Sequence, residues 1–137
     1  MPRTDYIPPN PAPREPAPNL QPNPPAQAWW GALAFTADGS WSAVWKMPSE
    51  AAAEVNVLRR CAAFGHGSCK VVTMSGQQCV GLATFLGNYR RRRWRLSYTA
   101  GGMTYPQAQG SALGRCNSDQ RTRGRCQFRT ATCADGR

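Results

Sequence analysis

Five arginines and a tryptophan stand together at Arg90, Arg91, Arg92, Arg93, Trp94 and Arg95, and Arg121, Arg123 and Arg125 follow at alternate positions. Guanidinium groups at that density can hold carboxylate or phosphate oxygens bidentately, and a neighbouring indole can stack on a base or a sugar. From Arg90 onward the chain carries eleven arginines against Asp119 and Asp135, so this part holds +9 of the formal net charge of +10. Such a balance points to an anionic partner: another protein with an acidic surface, or anionic lipid, glycan or nucleic acid. The competing reading is a charged sheet face that resists aggregation.

The rest of the chain offers little for catalysis. Ser-His-Asp or Cys-His chemistry needs a histidine oriented by a partner, and His66 stands alone between Gly65 and Gly67. Paired carboxylates would have to come from Asp38, Glu50, Glu54, Asp119 and Asp135. Asp38 reads as a turn residue and Glu50 as a helix start, which leaves Glu54 on a helix and the others in loop and tail. No phosphate-cradling glycine loop is present. Six cysteines without a paired C-x-x-C, beside one histidine, argue for disulfides over zinc. The chain therefore reads as a non-catalytic binding protein with no metal and no cofactor, a small hydrolase being the minor alternative.

The elements that must position these residues come in two copies. Trp30-Gly31-Ala32-Leu33-Ala34-Phe35 recurs as Val80-Gly81-Leu82-Ala83-Thr84-Phe85, and Trp41-x-Ala43-x-Trp45 answers to Trp94-x-Leu96-x-Tyr98. Ser49, Ala53, Leu58, Arg60 and Cys61 match Thr104, Ala108, Leu113, Arg115 and Cys116 in register. Asp38-Gly39 marks a hairpin in the first copy, and Gly87-Asn88 begins the corresponding turn in the second. Ser49 and Thr104 cap helices, and Ala52, Val55, Leu58 and Ala62 recur at helical spacing as the first helix's apolar face. On the second hairpin Trp94, Leu96 and Tyr98 share one face while Arg91, Arg93 and Arg95 share the other. Trp41 and Trp45 are assigned to core and hairpin face, and Trp94 to the core as the counterpart of Trp41.

The predicted fold is α+β: two pseudo-symmetric β-β-α-β repeats, about 28–78 and about 79–133, forming an antiparallel sheet with two helices. In each repeat a cysteine ends the helix and another opens the following strand, which by symmetry suggests Cys61–Cys69 and Cys116–Cys126. Cys79 and Cys133 then remain to pair with each other, although six cysteines allow fifteen connectivities.

The residues Trp30, Gly31, Ala32, Ala34, Phe35, Ser49, Ala51, Ala53, Leu58, Cys61, Cys69, Val71 and Val72 resemble the duplicated motif of the bacterial domain-of-unknown-function family DUF4189. The likeness covers nearly all of 28–133. It implies a small exported bacterial protein with disulfides and supplies no reaction or catalytic residue. The second repeat departs from the family pattern in its arginine run and in the glycines of its helix.

Residues 1–27 hold ten of the twelve prolines and almost no apolar side chains, so they read as a disordered proline-rich segment ahead of a single domain at 28–137. No stretch is long and apolar enough to span a bilayer. No export signal is visible after Met1, and cytosolic thiols are one way to read that. The alternative preferred here is an exported, periplasmic or secreted protein in which Met1 replaces a removed signal. Its expected role is immunity, inhibition or effector binding through the basic second repeat; an envelope protein binding an anionic polymer is the runner-up.

Overall fold

A computed structural model of the chain describes residues 29–64 and 67–137. The expected disorder of 1–27, and everything expected of Ala28, Gly65 and His66, lies outside those residues.

Each repeat folds as β-β-α-β. The first comprises β1 (Trp30–Phe35), β2 (Trp41–Met47), α1 (Glu50–Ala62) and β3 (Lys70–Ser75). The second comprises β4 (Cys79–Tyr89), β5 (Arg92–Gly102), α2 (Tyr105–Asn117) and β6 (Gln127–Cys133). The α+β class and the repeat are as expected, but the strands divide into two antiparallel sheets, one per repeat, ordered β2-β1-β3 and β5-β4-β6.

Strand alternation explains the division. Ala32 and Ala34 face α1 with Val44, Ala53, Val57 and Cys61, while Leu33 and Phe35 face the other way, into a shared core with Ala43, Met74, Val80 and Leu82. In the second sheet Ala83 and Phe85 face α2 with Ala112 and Cys116. The central strands are thus buried on both faces, and the molecule is four layers deep: helix, sheet, sheet, helix.

The caps form as the sequence predicts. The amide of Ala52 donates to Ser49 Oγ at 3.0 Å and that of Gln107 to Thr104 Oγ1 at 3.1 Å. The helix face does not. The buried positions of α1 are Ala53, Val57 and Cys61, whereas Val55 and Leu58 are exposed. α2 buries the equivalent Ala108, Ala112 and Cys116. In the second repeat the helix approaches its sheet closely: a Cβ added to Gly81 would lie 2.4 Å from the Ala108 carbonyl oxygen, so β4 carries glycine where α2 crosses it.

Three disulfides tie these layers: Cys61–Cys69, Cys116–Cys126 and Cys79–Cys133. The last joins directly opposed residues of β4 and β6. In the first sheet the opposed pair at that edge is Trp30 and Ser75, and Trp30 packs against the Ala53 cluster where Cys79 packs on Ala108. One indole fills in repeat one the place a disulfide fills in repeat two.

The register also corrects the tryptophan equivalence. Phe35 pairs with Trp41, and the corresponding pair in the second sheet is Thr84 with Ser97. Trp94 lies three residues farther out, opposite Gly87, and has no counterpart in repeat one.

Candidate functional site

β4 and β5 outrun their sheet. β6 pairs with β4 only from Cys79 to Thr84, whereas β5 follows β4 to Tyr89 opposite Arg92. Residues 85–96 are therefore a two-stranded arm, and all the clustered arginines of the first run sit on it. The strand continues through Gly87 and Asn88, where the sequence expects a turn, and reverses instead at Arg90 and Arg91, with φ of 52° and 67°. Positive φ at both central residues is the requirement of a type I′ hairpin, which ordinarily selects Asn-Gly. Here two arginines accept that backbone.

The arm has two faces. Trp94, Leu96 and Tyr98 lean on the α2 cluster with Phe85, as expected from their alternation. The Arg92 guanidinium lies 5.1 Å and that of Arg121 4.6 Å from the Trp94 ring centroid; Arg125 lies 4.7 Å from that of Phe85, and Arg90 5.3 Å from that of Tyr89. The Trp94 indole N–H donates to the Tyr89 carbonyl at 3.3 Å, which fixes the ring to the opposite strand. On the other face Ser97 Oγ donates to the carbonyls of Thr36 and Ala37 at 3.1 and 3.0 Å, docking the arm's base on the first hairpin. Arg95 lines a cleft of about 290 Å³ there with Lys70 and Ser68. The side chains of Arg91, Arg93 and Arg95 have no ion pair or hydrogen bond among the described residues.

The loop closed by Cys116–Cys126 delivers the second group. Arg121 grips Asp119 through Nη2 to Oδ2 at 2.6 Å and Nε to Oδ1 at 3.0 Å, and the Tyr98 hydroxyl donates to the same carboxylate at 2.5 Å. The Arg121 hydrogen bonds, and then that of Tyr98, hold the Asp119 carboxyl well below the usual carboxylate range. Burial, with the bond to Asp119, raises the Tyr98 phenol, and Asp119 in turn raises Arg121. Arg125 donates to the Arg121 carbonyl at 3.0 Å and Arg123 to that of Asn117 at 3.2 Å. Of the eight arginines singled out from the sequence, Arg92, Arg121 and Arg125 thus gather on the arm's aromatic face. Arg90 and Arg91 form its tip, Arg93 and Arg95 point to the opposite face, and Arg123 stands outside the stack on its own loop.

Repeat one carries an aromatic shelf that no sequence pattern marks. Trp41 and Trp45, expected in the core or on a hairpin face, are 38% and 50% exposed, and Phe64 at the end of α1 is 45% exposed. Trp41 and Trp45 overhang the edge of the second sheet because Ala43 between them reaches the shared core. Only the edge position of β2, which no periodicity reveals, could have signalled this.

Among the described residues no group of three or more His, Cys, Asp or Glu could hold a metal ion, and no helix is long and apolar enough to cross a membrane.

A family model described as a domain of unknown function, DUF4189, matches residues 30–133. Similar curated proteins are Protein Mb1300c of Mycobacterium bovis and Proteins MT1307 and Rv1269c of two Mycobacterium tuberculosis strains. Each is 41% identical over 44 residues, a stretch covering 32% of this chain and 33% of the relative. The match therefore spans about a third of the length of these relatives. No solved structure matches the chain.

Proposed function

The chain belongs to the DUF4189 family, and from that premise we propose that it is a non-catalytic exported binding protein whose arginine arm engages an acidic surface of a partner protein. The observation that carries this reading is the arm itself: a hairpin that leaves its sheet at Phe85 with Arg91, Arg93 and Arg95 unpaired beyond it. Cations held away from their own protein's carboxylates keep their charge available, and a projecting strand pair can enter a concave acidic site. The role fits an immunity, inhibitor or effector protein. Asp38, Glu50, Asp119 and Asp135 are all committed to hydrogen bonds within the fold, which favours binding over catalysis. Three disulfides suit an oxidising compartment.

One observation favours the second reading, an anionic polymer: the Arg92 guanidinium is held on the Trp94 ring at the arm's edge, where it can receive a phosphate or sulfate.

Biolayer interferometry across a salt series, with polyglutamate, anionic vesicles and duplex DNA as probes, separates the two. Polyglutamate binding is expected to be salt-dependent and to fall about tenfold or more in Arg91→Ser/Arg93→Ser/Arg95→Ser, each lost contact flattening the salt slope. Unchanged affinity for all three probes ends the arm hypothesis; DNA or vesicles bound far more tightly than polyglutamate put the polymer reading first.

A further inference from the structure

The loop 36–40 of repeat one meets repeat two on two sides, and only one of them is closed. Towards β4 and β6 the junction is tight, with Gly39 packed against Thr84 and Arg129. Towards β3 and β5 a cleft of about 290 Å³ remains, lined by Phe35 and Leu96 and by Ser68, Lys70 and Arg95. Among the described residues neither the Lys70 nor the Arg95 side chain has an ion pair or hydrogen bond. No carboxylate lines the cleft, and Asp38 in the adjoining loop accepts from the Thr36 hydroxyl and the Ser40 amide. The Ser97 hydroxyl is spent on the Thr36 and Ala37 carbonyls, which leaves that of Ser68 as the hydroxyl donor open to the cleft.

The fold itself does not call for these two cations. Phe35 pairs with Lys70 on β3 as Thr84 pairs with Gln127 on β6, so the register counterpart of Lys70 is uncharged. Counted outward from Ser97 and from its counterpart Trp41, Arg95 answers to Gly39, which has no side chain. Like charges across a small cleft repel, and an anion between them turns that repulsion into attraction. A cleft of this volume is about 8 Å across, a width that one phosphate group spans with a donor on either side at ~2.8 Å. Arg95 offers a planar fork of donors, Lys70 a compact point charge and Ser68 a hydroxyl. Their two positive charges match a phosphate monoester, which carries about −1.5 to −2 near neutral pH. Phe35 and Leu96 give the ester's organic group an apolar surface to rest on.

We propose that this cleft binds a small phosphate monoester, its phosphate held by Lys70, Arg95 and Ser68 and its organic group against Phe35 and Leu96. The site lies between the repeats at the base of the arm, apart from the arm's tip. It does not rest on the arm's partner, since a chain without affinity for polyglutamate can still hold a phosphate monoester here. Arg95 serves both sites, so Lys70, which the arm does not use, is the residue that tells them apart.

An amide NMR titration of the full chain with phenyl phosphate, at low salt and about pH 7.5 where the monoester is doubly charged, tests it. The amides of Ala37, Ser68 and Lys70 are expected to shift saturably, with a Kd of about 1 mM or tighter. Lys70→Gln, which copies the register counterpart, and Arg95→Gln are each expected to weaken binding about tenfold. Arg123→Gln, an equal change of charge on another loop, is expected to leave the affinity as it is. A dispersed spectrum from each variant checks that it has folded. Phenyl sulfate, of the same shape with a single charge, is expected to bind several-fold more weakly. No saturable shift at these amides up to about 20 mM phenyl phosphate overturns the proposal. So does a loss in Arg123→Gln equal to that in Lys70→Gln, which would make binding a matter of net charge. Equal affinity for phenyl sulfate overturns the assignment of a dianion.

Discussion

Replacing Arg90-Arg91 by Asn-Gly should make the arm firmer and a poorer binder. Both arginines have positive φ, a conformation that costs an L-residue roughly 1–2 kcal/mol. Asparagine relieves part of that cost and glycine all of it, while glycine returns about 0.5–1 kcal/mol as extra freedom in the open state. The balance is about 1 kcal/mol in favour of the closed hairpin. Because the arm pairs with nothing beyond Thr84 except itself, that gain appears as local protection and not as a higher global midpoint. Hydrogen exchange by mass spectrometry over residues 85–96 should slow about fivefold, the factor that 1 kcal/mol implies. Affinity for polyglutamate should fall, since two cations at the tip are gone. Arg90→Ser/Arg91→Ser is the control: it loses the charge and keeps the strain, so binding drops without added protection. An Asn-Gly chain whose arm exchanges as fast as the parent's refutes the left-handed turn. One that binds as tightly refutes a binding role for the tip.

The scaffold makes further claims. Opening Cys79–Cys133, whose cysteines have a sequence separation of 54, by double alanine substitution should cost about 4 kcal/mol in urea melts, against about 2.5 for Cys61–Cys69 with a separation of 8; equal losses would mean that loop length does not govern the bridges. Gly81→Ala should destabilise by about 3 kcal/mol, since its Cβ meets the Ala108 backbone, whereas Gly110→Ala, with open space around it, should stabilise by up to about 1 kcal/mol. Thermal melts that shift in the same direction for both would contradict the close helix–sheet approach. The Asp119 carboxyl is held below its ordinary range, so its contribution to stability is complete above the unfolded carboxylate pKa of about 4 and is lost as pH falls through the acid range. Asp119→Asn should therefore flatten the loss of stability between about pH 5 and pH 2, measured as urea midpoints.

Local chemistry was legible in the sequence and inter-element distance was not. The caps at Ser49 and Thr104, the hairpin at Asp38-Gly39 and the order of the cysteines each depend on a few neighbouring residues, and each is found as read. On α1 hydrophobicity ranks Val55 and Leu58 above Ala53, yet Ala53 is the buried residue, at the position where Ala108 of α2 is buried in the second repeat. The Gly87-Asn88 turn failed for a related reason: Gly87 pairs across the ladder with Trp94, whose ring is anchored to Tyr89, so the strand runs on to the arginines. Of the candidate site, the arginine positions and the alternation of Trp94 with Arg93 and Arg95 were visible. The division of the cluster between two faces, and the exposure of Trp41 and Trp45, depend on where one sheet ends against the other.

Why one hairpin is short and the other long follows from how the repeats dock. In repeat one the loop 36–40 is pinned to repeat two: Ser97 Oγ reaches the Thr36 and Ala37 carbonyls, and Arg129 Nε donates to Gly39 at 3.3 Å. A Cβ on Gly39 would lie 2.7 Å from Thr84 Oγ1, so that loop has no room to grow. A strict twofold would pin the second hairpin onto repeat one in return. It does not, because Phe85, the residue after the last β6-paired position, turns to α2 and the strands continue past the reach of the first sheet. The helix–sheet contacts of the two repeats remain equivalent, Ala53 with Ala108, Val57 with Ala112, Cys61 with Cys116. The duplication therefore left the helix-packed cores alike and freed one loop from docking. That loop could lengthen and gather arginine without cost to either core, which is where a charged binding surface can arise on this fold.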